Sequence, residues 1–175
     1  PLRAGHELLY HPGETNFRMA DVIVINKENS ATPEGIKTVE ENAKTLNPNA
    51  SIIHADSTLS LKPVMDLHGK KVLVVEDGPT VTHGGMSYGA GYKLAMQSGA
   101  HIVNPKTHAV GSIKKTFEKY AHLEHVLPAM GYSKKQIREL EQTINKTPCD
   151  FVVTGTPIDL NFVLKTNKPV LHVEY

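Results

Sequence analysis

Six short runs rich in β-branched and apolar residues recur along the chain: DVIVIN (21–26), ASIIHA (50–55), KVLVVE (71–76), HIVNP (101–105), DFVVTG (150–155) and a closing PVLHVEY. Most are nearly continuous in apolar character, the pattern of strands covered on both faces rather than one. Between them the period changes. Thr32 can cap a helix with Pro33 at its first position, after which Ile36, Val39, Ala43 and Leu46 share one face. Ser133 and Gln136 make a capping box ahead of Ile137, Leu140 and Ile144. A further helix is predicted over 88–98, ending at Gly99. Strand and helix alternate, which predicts an α/β fold: a parallel, doubly wound, Rossmann-like sheet of about five to six strands with helices on both faces. The first twenty residues, PLRAGHELLYHPGETNFRMA, are polar, contain glycine and proline and show no helical period. They are expected to be an irregular lead, either a processed N-terminus or a continuation from a longer protein, ahead of an α/β domain over 21–175.

Composition narrows the chemistry. With 175 residues the chain can bury a real core. Nineteen Lys and Arg against 18 Asp and Glu leave a net charge of +1, which argues against nucleic acid or a membrane surface held by bulk charge. The single cysteine, Cys149, excludes a disulfide framework or a cysteine zinc site and fits a reducing, cytoplasmic setting. Ten histidines are spread along the chain rather than set at metal-ligand spacing. No apolar run approaches the roughly 18 to 20 residues of a membrane span.

Ligands of open parallel sheets bind beyond the carboxyl ends of the strands, so the residues that follow the strands are the candidates. Asn26, Lys27, Glu28 and Asn29 follow the first run. An Asn-Lys pair in that place reads the base in many GTP-binding proteins, but the acid that accepts from guanine is replaced by Asn29, whose amide presents a donor as well as an acceptor. NKEN is therefore either a base-reading loop or an ordinary polar one. After the third run come Glu76, Asp77, Thr80, His83, Gly84 and Gly85. Gly84 and Gly89 have the outer spacing of a phosphate loop, yet Ala90 and Gly91 stand where Lys and Ser or Thr are required, so this is not a P-loop. What remains is an anion site at a helix entry, two acids with the oxygen ligands that magnesium favours, and a histidine able to move a proton; the competing reading is a tight turn with solvated acids. Lys106 and Lys114 flank a second helix start that Ser112 can cap, a second candidate anion site or a solvated helix end. Thr156 and Asp159, in TGTPID, either line a base or sugar or simply turn the chain.

The runs VLVVEDGPTVTHGGMSYGAG, NPKTHAVGSIKKTFEKY, VLPAMGYSKKQIRELEQTIN and VVTGTPIDLNFVLKTNKPVLHVEY resemble the predicted P-loop GTPases related to archaeal cyclic 2,3-diphosphoglycerate synthetase. With the lead and NKEN segment, the resemblance covers essentially the whole chain. Members of that family are longer and carry their P-loop in an N-terminal half without counterpart here, so the resemblance implies a C-terminal portion that is inactive by itself. It implies a nucleotide-dependent enzyme, a GTPase or ATPase or a phosphoryl transferase to a small anionic metabolite, using Mg2+ with ATP or GTP. The alternative is a non-catalytic module that binds a nucleotide or a phosphorylated metabolite. Under this reading Asp77 and His83 are catalytic and Glu76 and Asp77 face the metal. Asn26, Lys27, Asn29, Thr156 and Asp159 contact the nucleotide, while Thr80, Gly84, Gly85, Arg3, His6, Lys106 and Lys114 meet phosphate or substrate. Homo-oligomerisation is left open.

Overall fold

A computed structural model of the chain describes residues 3–83 and 86–174. The chain divides into two compact units, Pro1–Thr58 and Leu59–Tyr175. In the first, a 3-10 turn at His6–Leu8 and helix α1 (Gly13–Met19) precede strand β1 (Val22–Ile25), helix α2 (Pro33–Leu46) and strand β2 (Ser51–His54). The lead, expected to be irregular, is thus largely helical. Its helix buries no side chain and is about two turns long, too short to imprint a period on the sequence. Thr32 caps α2 as its position predicts, its hydroxyl accepting from the Gly35 amide at 3.1 Å. Val39 and Ala43 of that helix pack on Ile23 and Ile25 of β1. β1 and β2 pair in parallel, Val22 opposite Ser51 and Ile25 opposite His54, and make a two-stranded sheet of their own.

The second unit contains β3 (Ser60–Lys62), β4 (Lys71–Asp77), α3 (Gly78–His83), α4 (Ala90–Gln97), β5 (His101–Ile102), α5 (Gly111–Lys119), β6 (Leu127–Ala129), α6 (Lys134–Lys146), β7 (Phe151–Gly155) and β8 (Val170–Glu174). Its six-stranded sheet runs β3-β8-β7-β4-β5, with β6 also paired to β4. All pairings are parallel except that of β3 with β8. The expected α/β architecture with a mostly parallel sheet is present. The three-residue strands β3 and β6 are too short for a period-two pattern to show, and β6 contains a proline, so the sequence does not announce them.

From β4 the chain crosses to β5 on one side and later returns from β6 past β4 to β7 on the other. Right-handed crossovers in opposite directions put their helices on opposite faces, which makes the sheet doubly wound and makes β4 its switch point. β4 is buried from Val72 to Glu76, and its Leu73, Val74 and Val75 form one core with Val152, Val153, Leu171, Ile113, Phe117, Leu140 and Ile144. Among the described residues no helix is long and apolar enough to cross a membrane.

The Ser133 capping box is complete: its hydroxyl accepts from the Gln136 amide at 3.3 Å while the Gln136 side chain accepts from the Ser133 amide at 3.4 Å. Ser133→Ala is expected to lower unfolding free energy by about 1 kcal/mol, read as a lower urea midpoint with an unchanged slope; an unchanged midpoint would count against the cap.

Candidate active site

The carboxyl ends of β4, β6 and β7 converge on one place. Their register sets Glu76 beside Gly155 on one side and Pro128 on the other, with Asp77 beside Ala129. Alternation along β4 turns the two acids to opposite faces. Glu76 is 1 % exposed and Asp77 half-buried.

The Glu76 carboxylate is turned to the start of α4. Its Oε1 accepts from the amides of Tyr92 at 2.8 Å and Gly89 at 3.1 Å, and the Gly91 amide also donates to the group. These are first-turn N–H groups that no residue within the helix can satisfy. The glycines around it have a steric reason. A Cβ on Gly89 would lie 2.7 Å from the Glu76 carboxyl carbon. One on Gly155 would overlap the carboxylate and stand 2.7 Å from the Gly91 amide nitrogen. Burial outweighs the amides that favour the anion, and the pKa rises from 4.5 to about 7. Glu76 thus supplies, from within the fold, an anion at the glycine-rich helix entry where one was expected.

The second expected anion site is filled in the same way. Val110, not Ser112, stands at the N-cap of α5. Both the amide of Ser112, at 2.9 Å, and its hydroxyl donate to Glu139 Oε2 on α6. Those two hydrogen bonds, the hydroxyl's first, hold the Glu139 carboxyl below its usual pKa.

Asp77 is differently placed. The Thr80 hydroxyl donates to its Oδ2 at 3.3 Å. Its charge reaches Tyr132, whose phenol is raised above its usual pKa by burial first and by Asp77 second. Thr82 gives its one hydroxyl proton to the Gly78 carbonyl at 2.8 Å, so its 3.1 Å contact with His83 Nδ1 requires the proton on the ring. The His83 ring is exposed. Among the described residues no group of three or more His, Cys, Asp or Glu is arranged to hold a metal.

The remaining candidates are distributed as follows. Gly84 and Gly85 lie outside the described residues. Thr156 is buried and its hydroxyl donates to the Ile158 carbonyl at 2.6 Å, while Asp159 caps the following turn through Asn161 at 2.9 Å; both shape their own loop. Lys106 and Lys114 are exposed in this unit. Arg3, His6, Asn26, Lys27 and Asn29 belong to the unit Pro1–Thr58. There, Arg3 accepts from the His6 amide at 3.1 Å, and Asn26 Oδ1 accepts from the Lys27 amide at 2.7 Å. Lys27 has φ 64°. The Asn29 amide is tied to Ser57 through both its atoms, Nδ2 donating at 2.9 Å and Oδ1 accepting at 3.5 Å. Sequence reasoning missed Tyr132, which follows the short strand β6 that no pattern announces, and Glu139, which lies within α6 and is brought to Ser112 by tertiary packing.

No family model matches the chain. It is 55 % identical, over an alignment of 176 residues that takes in all of its length, to the arginine synthetase ArcE of Thermococcus kodakarensis, of which it spans 39 %. It is 38 % identical over 74 residues, 41 % of its length, to the cyclic 2,3-diphosphoglycerate synthetase of Methanothermus fervidus, of which the match covers 16 %. The chain is thus homologous to these synthetases, and spans well under half of the length of either.

Two predictions follow from Glu76 and its cradle. Gly155→Ala is expected to destabilise the second unit by about 1–3 kcal/mol, seen in urea denaturation, because the Gly91 backbone cannot swing aside as a side chain can. Because the folded-state pKa of Glu76 is raised, the folded chain holds that proton more tightly than the unfolded one. Its contribution to stability is fully present below about pH 4.5, is lost as pH rises to about 7, and amounts to about 3 kcal/mol across that window. Denaturation curves at pH 5 and pH 8 should show this component in the natural chain and lack it in Glu76→Gln; the same pH slope in both would assign it to another group.

Proposed function

We propose that this chain carries part of an ATP-driven, magnesium-dependent synthetase that forms arginine, with its chemistry at Asp77 on the carboxyl end of β4. The observation that carries the reading is the 55 % identity to an arginine synthetase over the whole chain. The shorter match to a synthetase of a polyanionic product is outweighed by it, and the site supports the same choice. Both helix entries that could have received such a polyanion, at α4 and α5, hold the protein's own carboxylates. Adenine is preferred to guanine because Asn29, at the position that would read guanine's amino group, is committed to Ser57. The synthetase names of both relatives favour bond formation driven by the nucleotide over simple GTP hydrolysis.

Asp77 has the donor chemistry for magnesium. This ion binds through one or two carboxylates together with phosphate oxygens and water rather than in an all-protein cage, so one acid at the strand end suffices where Glu76 is withdrawn. Bound there, the ion would neutralise charge developing on the transferred phosphoryl group. Thr80 holds the Asp77 carboxylate in place through Oδ2. His83, whose Nδ1 contacts the Thr82 hydroxyl at 3.1 Å, is the group we assign to accept a proton from the attacking nucleophile.

The test is a chimera in which this chain replaces the matched 176 residues of the Thermococcus enzyme. ATP-dependent arginine formation is expected, with Asp77→Asn lowering kcat about 100-fold or more at unchanged melting temperature, in the range of a lost charge-stabilising group. A folded but inert chimera, or full activity in Asp77→Asn, would overturn the proposal.

A further inference from the structure

Parallel strands are ordinarily covered on both faces, and a sheet of two strands is marginal in water. The pair β1 and β2 departs from both. Ile23 and Ile25 are buried against α2, but Val22 and Val24 on the opposite face are 49 % and 54 % exposed, and Ile53, opposite Val24, is 50 % exposed. The free edge is equally unfinished. The amides of Ser51 and Ala55 donate to the carbonyls of Asp21 and Ile25 at 2.9 and 3.0 Å, so the odd-numbered residues of β1 bond to β2. Alternation then aims the N–H and C=O groups of Val22 and Val24 away from it. Along that side runs an open cavity of about 410 Å³, lined by every residue of β1 and walled by Phe17 of α1 and Val39 of α2. A cavity touching four successive residues of a strand follows its edge, here about 13 Å long.

Edges that remain free in solution carry lysine, proline or a bulge against unwanted pairing; this one reads Val-Ile-Val-Ile. It has the composition of an interior strand. The occupant must therefore be another strand, and its source is indicated by length: the matched region is 39 % of the Thermococcus synthetase, whose further polypeptide is available to supply it. We propose that the free edge of β1 receives a strand of alternating apolar side chains from polypeptide equivalent to that remaining part of the synthetase, extending the β1–β2 sheet and setting apolar side chains beside Val22 and Val24. The inference uses the synthetase relationship but not the chemistry assigned to Asp77.

Amide hydrogen exchange tests it on the 175-residue chain and on the chimera described above. The amides of Val22 and Val24 should exchange at least 100-fold more slowly in the chimera than in the chain alone, while those of Ile23 and Ile25, bonded to β2, are protected in both. Val22→Lys with Val24→Lys, on the exposed face, should leave the melting temperature of the chain alone unchanged and lower that of the chimera. Equal exchange at Val22 and Val24 in both proteins would overturn the proposal. So would protection in the chain alone that grows with concentration, which would make a second copy the occupant. Slowed exchange in a chimera that forms no arginine would refute the reaction and leave the docked strand standing.

Discussion

A carboxylate in the interior organises the second unit. Removing an ion from water is expensive unless hydrogen bonds replace its hydration. Glu76 meets that requirement with main-chain amides of the first turn of α4, groups that themselves lack partners. Each side resolves the other's deficit, and the bargain fixes much around it. The central strand must end where the helix begins, and glycines stand at 89 and 155, where a Cβ would overlap the carboxylate. The pKa of about 7 shows that the exchange is incomplete, with desolvation still exceeding what the amides return.

The Glu139–Ser112 contact repeats the device at α5, linking two helices through one side chain. A helix N-terminus beside a glycine-rich loop attracts anions through its amides and dipole, yet the same physics is satisfied by an intramolecular acid. Two such termini in one small unit, both internally neutralised, mean that favourable helix-entry geometry here reports on packing. The groups left over at this end of β4 are Asp77 with its Thr80 hydroxyl, and His83 beside Thr82.

Much of the architecture was legible. Apolar runs located β4, β7 and β8, and caps at Thr32 and Ser133 marked α2 and α6, because these features act over a few residues. Short β3 and β6 were not, since three residues carry no usable period. The candidate site was drawn from the stretch after β4 through the rule that ligands gather at strand ends. Which of its two acids turns inward was not legible, because that depends on Gly155 arriving from nearly eighty residues downstream through sheet register. Glu139 was illegible for the same reason: its partner lies 27 residues away, and nothing local in RELEQ distinguishes it from a solvated helical acid. The NKEN loop was recognisable by spacing, but only the tie between Asn29 and Ser57 reveals that its last residue is already engaged.

The pleat of β4 sorts Glu76 from Asp77, and it does so between side chains that differ by a single methylene. If the strand slipped by one residue, aspartate would face α4 with a shorter reach and glutamate would face solvent. The amides of Gly89 and Tyr92 would then lack their acceptor, and the outward position would gain an arm too flexible to be held by Thr80. The order Glu then Asp is therefore a length code, the longer acid directed to a fixed internal target and the shorter one kept close to the backbone. Exchanging the pair would preserve charge and composition while removing both fits at once.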